Sequence, residues 1–335
     1  MARLSLVLAA AGVFAPILTA AETATGLLKV PADDPDADIA ERYRLAEPYR
    51  GQYKLVHRYT LRHSGVTVYD LTFPSPIASD IPENNTVYAQ YFVPTSHANG
   101  LRPERAKIPA VIVLDIMQGN QLVARGEAMW LAQNGVAALV VVLPHYNERR
   151  APGSRVKLVS PDIVRTFNGI QQAVLDCRCA AAWLAERPEV DAAQLGMVGT
   201  SLGSFVTALT AANEPRIKNV CLVLGGGGLV DAYFNHPRAQ PVAEWVDRLG
   251  GKNLVKKLIG LVDPITYADK LKRKNLLLIA ARHDVIVPAC AATALWQATD
   301  KPRIVWLDSG HVTAGFYTMT VLCEIRDHVR GQPVK

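Results

Sequence analysis

The sequence has few residues that could cross-link it or bind a metal. Only five of its 335 residues are cysteines. Cys177 and Cys179 are two positions apart in a helical segment, so their side chains point in different directions and suit neither a mutual disulfide nor a metal clip. Cys221 lies in an apolar run and is expected to be a small core residue. Cys290 and Cys323 could form a disulfide in an oxidising compartment, but their spacing in the sequence does not establish one.

The chain also lacks the marks of nucleotide and nucleic-acid binding. Its glycine cluster, LGGGGL, does not have the GxGxxG arrangement of a dinucleotide-binding loop. The formal net charge is +6, but the basic residues are scattered, apart from a lysine-rich stretch over residues 252–274. Nucleic-acid binders concentrate such charge on one face and add a recognisable motif. We therefore expect no cofactor, no metal and no nucleic-acid partner.

A long apolar run occurs only among the first residues. Arg3 precedes an apolar stretch over residues 4–18, and small residues follow up to Ala21. This pattern predicts a signal peptide over residues 1–21, cleaved near Ala21, and hence a secreted or periplasmic protein. An uncleaved anchor is the alternative. No other stretch has the length of a spanning helix, so no stable membrane span is expected after cleavage.

The rest of the chain predicts one α/β domain. Residues 22–60 include an acidic, proline-containing stretch and are expected to form an N-terminal arm in solvent. Residues 61–335 begin with two alternating strands, expected to be antiparallel, and continue with buried apolar strands that alternate with helices. This order predicts a mostly parallel sheet with helices on both faces. Right-handed crossovers place the strand ends at one edge, where such sheets bind ligands.

One serine in the motif GTSLG, residues 199–203, lies between two glycines. Ser201 follows an apolar strand and precedes a helix, which is the setting of a nucleophile elbow. A serine hydroxyl needs a histidine to accept its proton and an acid to orient that histidine. Asp284 and His311 follow the next apolar strands in the required order, so we expect Ser201, Asp284 and His311 to form a catalytic triad.

Each partner of the serine has a rival in the sequence. Asp231 follows the strand before the predicted insertion, a position from which some hydrolases supply the acid. His283 adjoins Asp284 but would need a different loop geometry to reach the serine. Asp308 precedes His311 too closely to orient it easily.

These motifs resemble the α/β-hydrolase superfamily and, within it, the dienelactone-hydrolase-like esterases. The resemblance covers roughly residues 66–335 and is strongest at GTSLG, RHDVIVP and SGH. DIMQGN is similar to the E-I-F-G-x-N segment of dienelactone hydrolases. That similarity implies an oxyanion hole formed by the backbone N–H groups of Ile116 and Leu202, with Met117 as the alternative to Ile116. The family nucleophile is cysteine, whereas this chain has a serine, so generic ester hydrolysis is expected rather than a dienelactone substrate.

Several residues are candidates for binding the substrate. Residues 228–274 form an insertion before the acid-bearing strand, and it is expected either to cap the site or to pack as peripheral helices. Met117, His145, Tyr146 and Tyr233 are possible substrate-binding residues. Arg149 and Arg150 follow the same strand as His145 and are either solvated or face an acidic substrate.

The sequence thus predicts an exported serine hydrolase that cleaves small-molecule or carbohydrate-linked carboxylic esters through an acyl-enzyme. A peptidase or an acyltransferase with the same triad is the nearest alternative. A non-catalytic binding protein of the same fold is an alternative of another class. The oligomeric state is left open by the sequence.

Overall fold

The computed structural model describes residues 23–100, 106–117, 120–160, 162–234 and 251–331. The predicted signal peptide over residues 1–21 lies outside this part of the chain. The described residues form a ten-stranded sheet and eight α-helices. The strands are β1 (Thr23–Val30), β2 (Tyr49–Leu61), β3 (Val66–Pro74), β4 (Thr86–Pro94), β5 (Ile108–Leu114), β6 (Ala137–Val141), β7 (Val190–Thr200), β8 (Asn219–Val223), β9 (Asn275–Ala281) and β10 (Arg303–Leu307).

The helices alternate with the later strands. They are α1 (Leu122–Gln133), α2 (Ile163–Ala185), α3 (Leu202–Asn213), α4 (Leu229–Phe234), α5 (Lys252–Gly260), α6 (Ala268–Leu271), α7 (Ala289–Ala298) and α8 (Thr318–Val329). The strand order in the sheet is β1-β2-β3-β4-β6-β5-β7-β8-β9-β10. From β6 to β10 in this order all neighbours are parallel, whereas β1 to β4 are antiparallel and β4 meets β6 antiparallel. The predicted mostly parallel sheet is confirmed.

Helices cover both faces of the sheet. One apolar cluster joins the sheet to α2 and α3, and a second joins its opposite face to α1 and α8. The central strands are buried on both sides: every residue of β6 is buried, as are the last five residues of β5. This explains their continuous apolar sequences, because each side chain of such a strand faces a layer of helices.

The prediction of a solvated arm over residues 22–60 is wrong for the residues that the structure describes. β1 and β2 extend the sheet beyond β3, and Leu28 and Tyr43 are fully buried. Asp33, one of the acidic residues behind that prediction, forms two hydrogen bonds with the buried guanidinium of Arg178 on α2, at 2.7 and 2.6 Å. The acidic composition of this segment suggested that it is exposed to solvent, because Arg178, the cation that binds Asp33, lies far away in the sequence.

All five cysteines lie in described parts of the chain, and none is in a disulfide. Cys290 is exposed on α7, Cys323 is half-buried on α8, and the other three are buried. The described residues contain no cluster of histidine, cysteine and acidic side chains suited to a metal ion. None of the helices in these ranges combines the length and the apolar character needed to cross a bilayer.

Candidate active site

Ser201 occupies the tight turn between β7 and α3. Its φ of 53° and ψ of −116° are unusual for a residue with a side chain; such strain persists only where the surroundings enforce it. Its backbone N–H donates to the carbonyl of Val223 at 2.8 Å. The N–H and hydroxyl of Ser204 both donate to the Ser201 carbonyl, at 2.9 and 2.6 Å. These bonds fix the serine at the C-terminal edge of the parallel strands.

The two glycines of the motif are required by close backbone contacts. A Cβ atom on Gly199 would overlap the carbonyl oxygen of Gly203, and a Cβ atom on Gly203 would overlap the carbonyl oxygen of Leu114. The turn therefore passes too close to its own helix and to the end of β5 for any larger residue. This steric demand accounts for the spacing of glycine, serine and glycine seen in the sequence.

Three side chains from three loops form a continuous hydrogen-bonded chain. The Nε2 atom of His311 lies 2.8 Å from the hydroxyl of Ser201, and its Nδ1 atom lies 2.6 Å from Oδ2 of Asp284. A carboxylate at Nδ1 favours the tautomer with its proton there, which leaves Nε2 as the acceptor for the serine proton. The structure thus brings together the three residues that the sequence singled out.

The carboxyl group of Asp284 is held in place by its own loop. Its Oδ1 atom accepts hydrogen bonds from the backbone N–H groups of Ile286 and Val287, both at 2.8 Å. The Asp284 side chain is 2% exposed and that of His311 is 12% exposed. The other carboxyl oxygen of Asp284, Oδ2, therefore faces the His311 imidazole from a position that is almost inaccessible to solvent.

The rival residues lie in other settings. Asp231 forms ion pairs with Lys252 and Lys256 on the surface. The Nε2 atom of His283 lies 2.9 Å from Oδ1 of Asp308, in a pair whose side chains are 69% and 76% exposed. These ionic contacts of Asp231, His283 and Asp308 are with residues outside the triad.

The loop after β5 holds the other candidates for charge stabilisation. Ile116 and Met117 line the same cavity as Ser201. Asp115 anchors this loop by accepting hydrogen bonds from the backbone N–H groups of Gln121 and Ala124, at 2.6 and 3.2 Å. Burial raises the pKa of Asp115, and N–H groups that include that of Ile116 oppose the rise. The Ile116 N–H is partly engaged with the Asp115 carboxyl. Ile116 and Met117 therefore both remain predicted N–H donors to an oxyanion.

Leu202 is the first residue of α3, directly after the serine. The first N–H groups of a helix have no partner within the helix and carry its positive end. Leu202 therefore remains the predicted second donor for an oxyanion.

A cavity of about 650 Å³ opens in front of Ser201 and His311. Its walls are mostly apolar and come from the loop after β5, from α1, from β8 and from the segment around α8. Several side chains at its mouth protrude into solvent: Leu122 is 68% exposed and Val312 is 80% exposed. The cavity therefore suits an apolar group held beside the serine hydroxyl.

His145 and Tyr146, predicted as possible substrate-binding residues, are not among the residues that line this cavity. The backbone N–H of His145 donates to Asn84 Oδ1 at 2.8 Å, and its Nδ1 atom lies 3.2 Å from Asn84 Nδ2. Burial is the main cause of the lowered pKa of His145, and Arg149 lowers it further. Tyr146 is 1% exposed. Both residues follow β6, which is two strands away from β7, and the turn before β4 covers them.

Arg149 is a structural residue rather than one that faces a substrate. It is fully buried, and its Nη2 atom lies 2.7 Å from Oδ2 of Asp176, which is also fully buried. The same guanidinium donates to the carbonyl oxygens of Val142 and Asn84, at 3.0 and 2.6 Å. Arg150 is exposed.

The described part of the predicted insertion packs beside the site and does not line the cavity. Asp263 fixes its base by accepting hydrogen bonds from the N–H groups of Gly228 and Leu229, at 2.9 and 2.8 Å. The hydroxyl of Tyr233 donates to the carbonyl of Ile286, which lines the cavity. Tyr233 itself is not among the lining residues, so it contacts the cavity wall from behind. Residues 235–250 of the predicted insertion lie outside the described residues.

Sequence reasoning missed Glu127 on α1. This residue lines the cavity, is only 5% exposed, and accepts a hydrogen bond from the Thr200 hydroxyl at 2.9 Å. A glutamate in a helix is expected to face solvent. The only hint in the sequence was its position among alanines that cover the sheet.

Comparison with known proteins gives one family match and two curated relatives. Residues 166–309 match the model of the prolyl oligopeptidase family, which is less than half of the chain. Two uncharacterized proteins of Mycobacterium tuberculosis, from strains CDC 1551 / Oshkosh and ATCC 25618 / H37Rv, are each 27% identical over 199 residues. The match covers 55% of this chain and only 43% of each relative's own length.

Many solved structures are similar. Acetyl xylan esterase 1 from Thermoanaerobacterium sp. JW/SL YS485 has a TM-score of 0.60 at 20% identity, over 82% of this chain and 87% of that chain. The acetyl xylan esterase from Paenibacillus sp. R4 has a TM-score of 0.63 at 16% identity, over 82% and 88%. A putative dienelactone hydrolase from Klebsiella pneumoniae has a TM-score of 0.50 at 17% identity, over 78% and 98%.

Proposed function

We propose that this chain, an α/β-hydrolase of the esterase- and peptidase-like kind, is a serine hydrolase that cleaves carboxylic esters. The observation that carries the proposal is the chain of hydrogen bonds from Asp284 through His311 to Ser201, at 2.6 and 2.8 Å. This geometry supplies a nucleophile, a base within reach of its proton, and an acid that orients the base.

In the first half of the reaction, Oγ of Ser201 attacks the acyl carbon of the ester while Nε2 of His311 takes the hydroxyl proton. The carbonyl oxygen becomes an oxyanion, which the N–H of Leu202 and the N–H of Ile116 or Met117 stabilise. Each such donor contributes about 3 kcal/mol in comparable sites. When the bond between the acyl carbon and the alcohol oxygen breaks, His311 returns its proton to the alcohol.

In the second half, water takes the place of the alcohol. His311 removes a proton from this water, which attacks the acyl carbon of the acyl-enzyme. The bond to Oγ of Ser201 then breaks, and His311 gives the proton back to the serine. The products are the free carboxylic acid and the restored enzyme.

The mostly apolar cavity supports a small-molecule ester with an uncharged acyl group. Two of the similar structures are named as acetyl xylan esterases, which makes a carbohydrate-linked ester a reasonable candidate substrate. The walls near the serine favour an apolar acyl group whichever alcohol is attached. Small-molecule esters and carbohydrate-linked esters are therefore both proposed substrates.

A peptidase is the second candidate, because the matching family model is that of the prolyl oligopeptidases. Those enzymes normally add a propeller or another large N-terminal domain. Here the described residues before β5 form strands of the catalytic sheet itself. An acyltransferase would form the same acyl-enzyme and would differ only in using an alcohol instead of water.

The test is hydrolysis of short p-nitrophenyl esters by the wild type and by Ser201→Ala. We expect the wild type to cleave these esters and Ser201→Ala to lose the activity while unfolding at a similar temperature. Prolyl peptide p-nitroanilides and an added alcohol acceptor test the peptidase and acyltransferase alternatives in the same assay. Wild-type activity in a clean preparation of Ser201→Ala would reject the proposal, and no activity in either protein would favour a binding protein.

A further inference from the structure

Leu224, the first residue after β8, has a strained backbone in the wall of the cavity. Its φ is 53°, in the left-handed region that a bulky residue such as leucine rarely adopts. Its backbone N–H donates to the carbonyl of Ile279 at 2.7 Å, which fixes it against β9. A conformation of this kind costs stability and persists only because the surroundings enforce it.

The strain changes the direction in which this side chain points. In a regular strand consecutive side chains face opposite sides of the sheet. Leu222 and Val223 do so, because Leu222 packs in the apolar cluster with α2 and α3 and Val223 packs in the cluster with α1 and α8. Leu224 breaks this alternation: it packs in the same cluster as Val223 and lines the same cavity. The left-handed backbone therefore turns the Leu224 side chain into the cavity.

A glycine at this position would adopt the same backbone conformation without the steric cost. The chain has glycine at each of the next four positions, 225–228, but a leucine at 224. The leucine thus keeps a side chain at a point where glycine suits the backbone better. That side chain either stabilises the apolar cluster or shapes the cavity, and its position beside the nucleophile decides between these two roles.

Leu224 lies next to Ser201 at the edge of the sheet. The carbonyl of Val223, the preceding residue, accepts the backbone N–H of Ser201 at 2.8 Å. Val223 is also paired with Thr200, where β7 and β8 lie side by side. Neighbouring strands are about 5 Å apart, and Ser201 and Leu224 line one cavity. The Leu224 side chain therefore borders the space that the first carbons of an acyl group on Ser201 occupy.

We propose that the Leu224 side chain selects straight-chain acyl groups and excludes those that branch next to the ester carbonyl. This inference rests on the proposed ester hydrolysis and narrows it to esters of unbranched carboxylic acids. Leu224 is buried and its backbone is fixed, so it does not move aside for an extra methyl group. Adding carbon atoms to a packed apolar wall is destabilising, and one methylene in such a pocket changes rates about 10- to 200-fold.

Leu224 constrains the acyl part of the ester rather than the alcohol part. The acyl carbon is bonded to Oγ of Ser201 in the acyl-enzyme, so the carbon next to it stays beside the residues that flank the serine. The alcohol oxygen takes its proton from Nε2 of His311. The residue after His311, Val312, is 80% exposed at the mouth of the cavity, whereas Leu224 is buried in its wall. The alcohol therefore leaves toward solvent and away from Leu224.

The test compares p-nitrophenyl butyrate with p-nitrophenyl isobutyrate, which has the same atoms but branches next to the carbonyl. Each kcat/KM is divided by the rate constant for hydrolysis of that ester by hydroxide, which removes the intrinsic difference in reactivity. We expect the wild type to prefer butyrate. Leu224→Ala leaves room beside the serine, so it should raise the value for isobutyrate relative to butyrate by about tenfold.

Two further variants separate a role in the cavity from a role in packing. Leu224→Gly also removes the side chain but relieves the strained backbone. It should accept isobutyrate as Leu224→Ala does and unfold at a higher temperature than Leu224→Ala, which keeps the test open if the alanine variant does not fold. Leu277, on β9, is a fully buried leucine of the same apolar cluster that does not line the cavity. Leu277→Ala should lower the unfolding temperature and leave the preference for butyrate unchanged.

The possible outcomes distinguish this inference from the proposed function. Equal corrected rates for the two esters in the wild type, or an unchanged preference in folded Leu224→Ala or Leu224→Gly, would overturn the inference and leave ester hydrolysis intact. So would an equal change of preference in Leu277→Ala, a change seen only between propyl and isopropyl acetate, which differ in the alcohol, or a Leu224→Ala variant as stable as Leu224→Gly. No hydrolysis of any ester by the wild type would overturn the proposed function and the inference with it.

Discussion

The Nε2 atom of His311 lies 2.8 Å from Oγ of Ser201, although 110 positions separate the two residues in the sequence. The contact exists because β7 and β10 are parallel strands of one sheet and end at the same edge. Asp284 reaches the other side of the imidazole from the end of β9, which lies between these strands in the sheet order β7-β8-β9-β10. These two contacts link the three side chains that the proposed reaction uses.

The first prediction concerns the acid. Asp284→Asn keeps the shape of the side chain but lets an amide N–H face Nδ1 of His311, which favours the wrong tautomer. We expect kcat for ester hydrolysis to fall by up to about 10⁴-fold, with a modest change in KM. Asp231→Asn is the control, because Asp231 pairs with surface lysines. A severe loss at Asp231 with little loss at Asp284 would reverse the assignment.

The second prediction concerns the turn that holds the serine. Gly203→Ala would push a Cβ atom into the carbonyl oxygen of Leu114, so the free energy of unfolding should fall by about 1–3 kcal/mol. Gly126→Ala, on α1, is the matched control, because a Cβ atom there meets nothing. It should stabilise the protein by up to about 1 kcal/mol. Urea denaturation measures both, and equal stability of the two variants would argue against the close contact.

The third prediction concerns the N-terminal strands and pH. Burial alone would raise the pKa values of Asp33 and Glu214. At Asp33 a hydrogen bond and charge from Arg178, together with the backbone N–H of Leu45, lower the pKa below its usual range. At Glu214 hydrogen bonds and charge from Arg216 lower the pKa, and the charge of Arg178 lowers it further. The stability that these groups contribute is therefore present above their ordinary pKa values and is lost as the pH falls through the lowered values.

Arg178→Met removes the cation that Asp33 and Glu214 share and tests the predicted direction in which stability changes with pH. We expect it to lower the free energy of unfolding by about 3–5 kcal/mol at neutral pH, with a smaller difference at a pH below the lowered pKa values, where the carboxyls are protonated. Arg58→Met is the control, because Arg58 and Asp70 form an exposed pair worth at most about 1 kcal/mol. A loss that is the same at both pH values would contradict the role of the charges.

Most of the fold followed from the sequence, and the exceptions have a common cause. Apolar strands that alternate with helices determine a parallel sheet, and the order of its strand ends brought Ser201, Asp284 and His311 together. The N-terminal strands were missed because the partner of Asp33 is Arg178, a contact between distant segments. The contact of His145 with Asn84 likewise joins distant segments and could not be read from the sequence. The signal peptide over residues 1–21 stays a prediction.

The fourth prediction tests which residues form the cavity. Met117 lines it and is 40% exposed, so Met117→Ala should raise KM for longer acyl esters by about threefold while keeping the backbone N–H. Tyr146→Phe removes a buried hydroxyl that has no partner among the described residues and should leave KM unchanged. Steady-state kinetics with a series of acyl chain lengths provide the measurement. A raised KM in Tyr146→Phe would indicate that Tyr146 contributes to substrate binding.

The most direct test of the account is covalent labelling with a fluorophosphonate, followed by mass spectrometry of the digested protein. The phosphorus forms a bond to an activated serine hydroxyl and releases fluoride, so only a serine with a working base reacts readily. We predict one equivalent of label on the peptide that contains Ser201, with ester hydrolysis lost in proportion, and no label on Ser201→Ala. Label on another residue, together with full ester hydrolysis by Ser201→Ala, would contradict the assignment of the nucleophile.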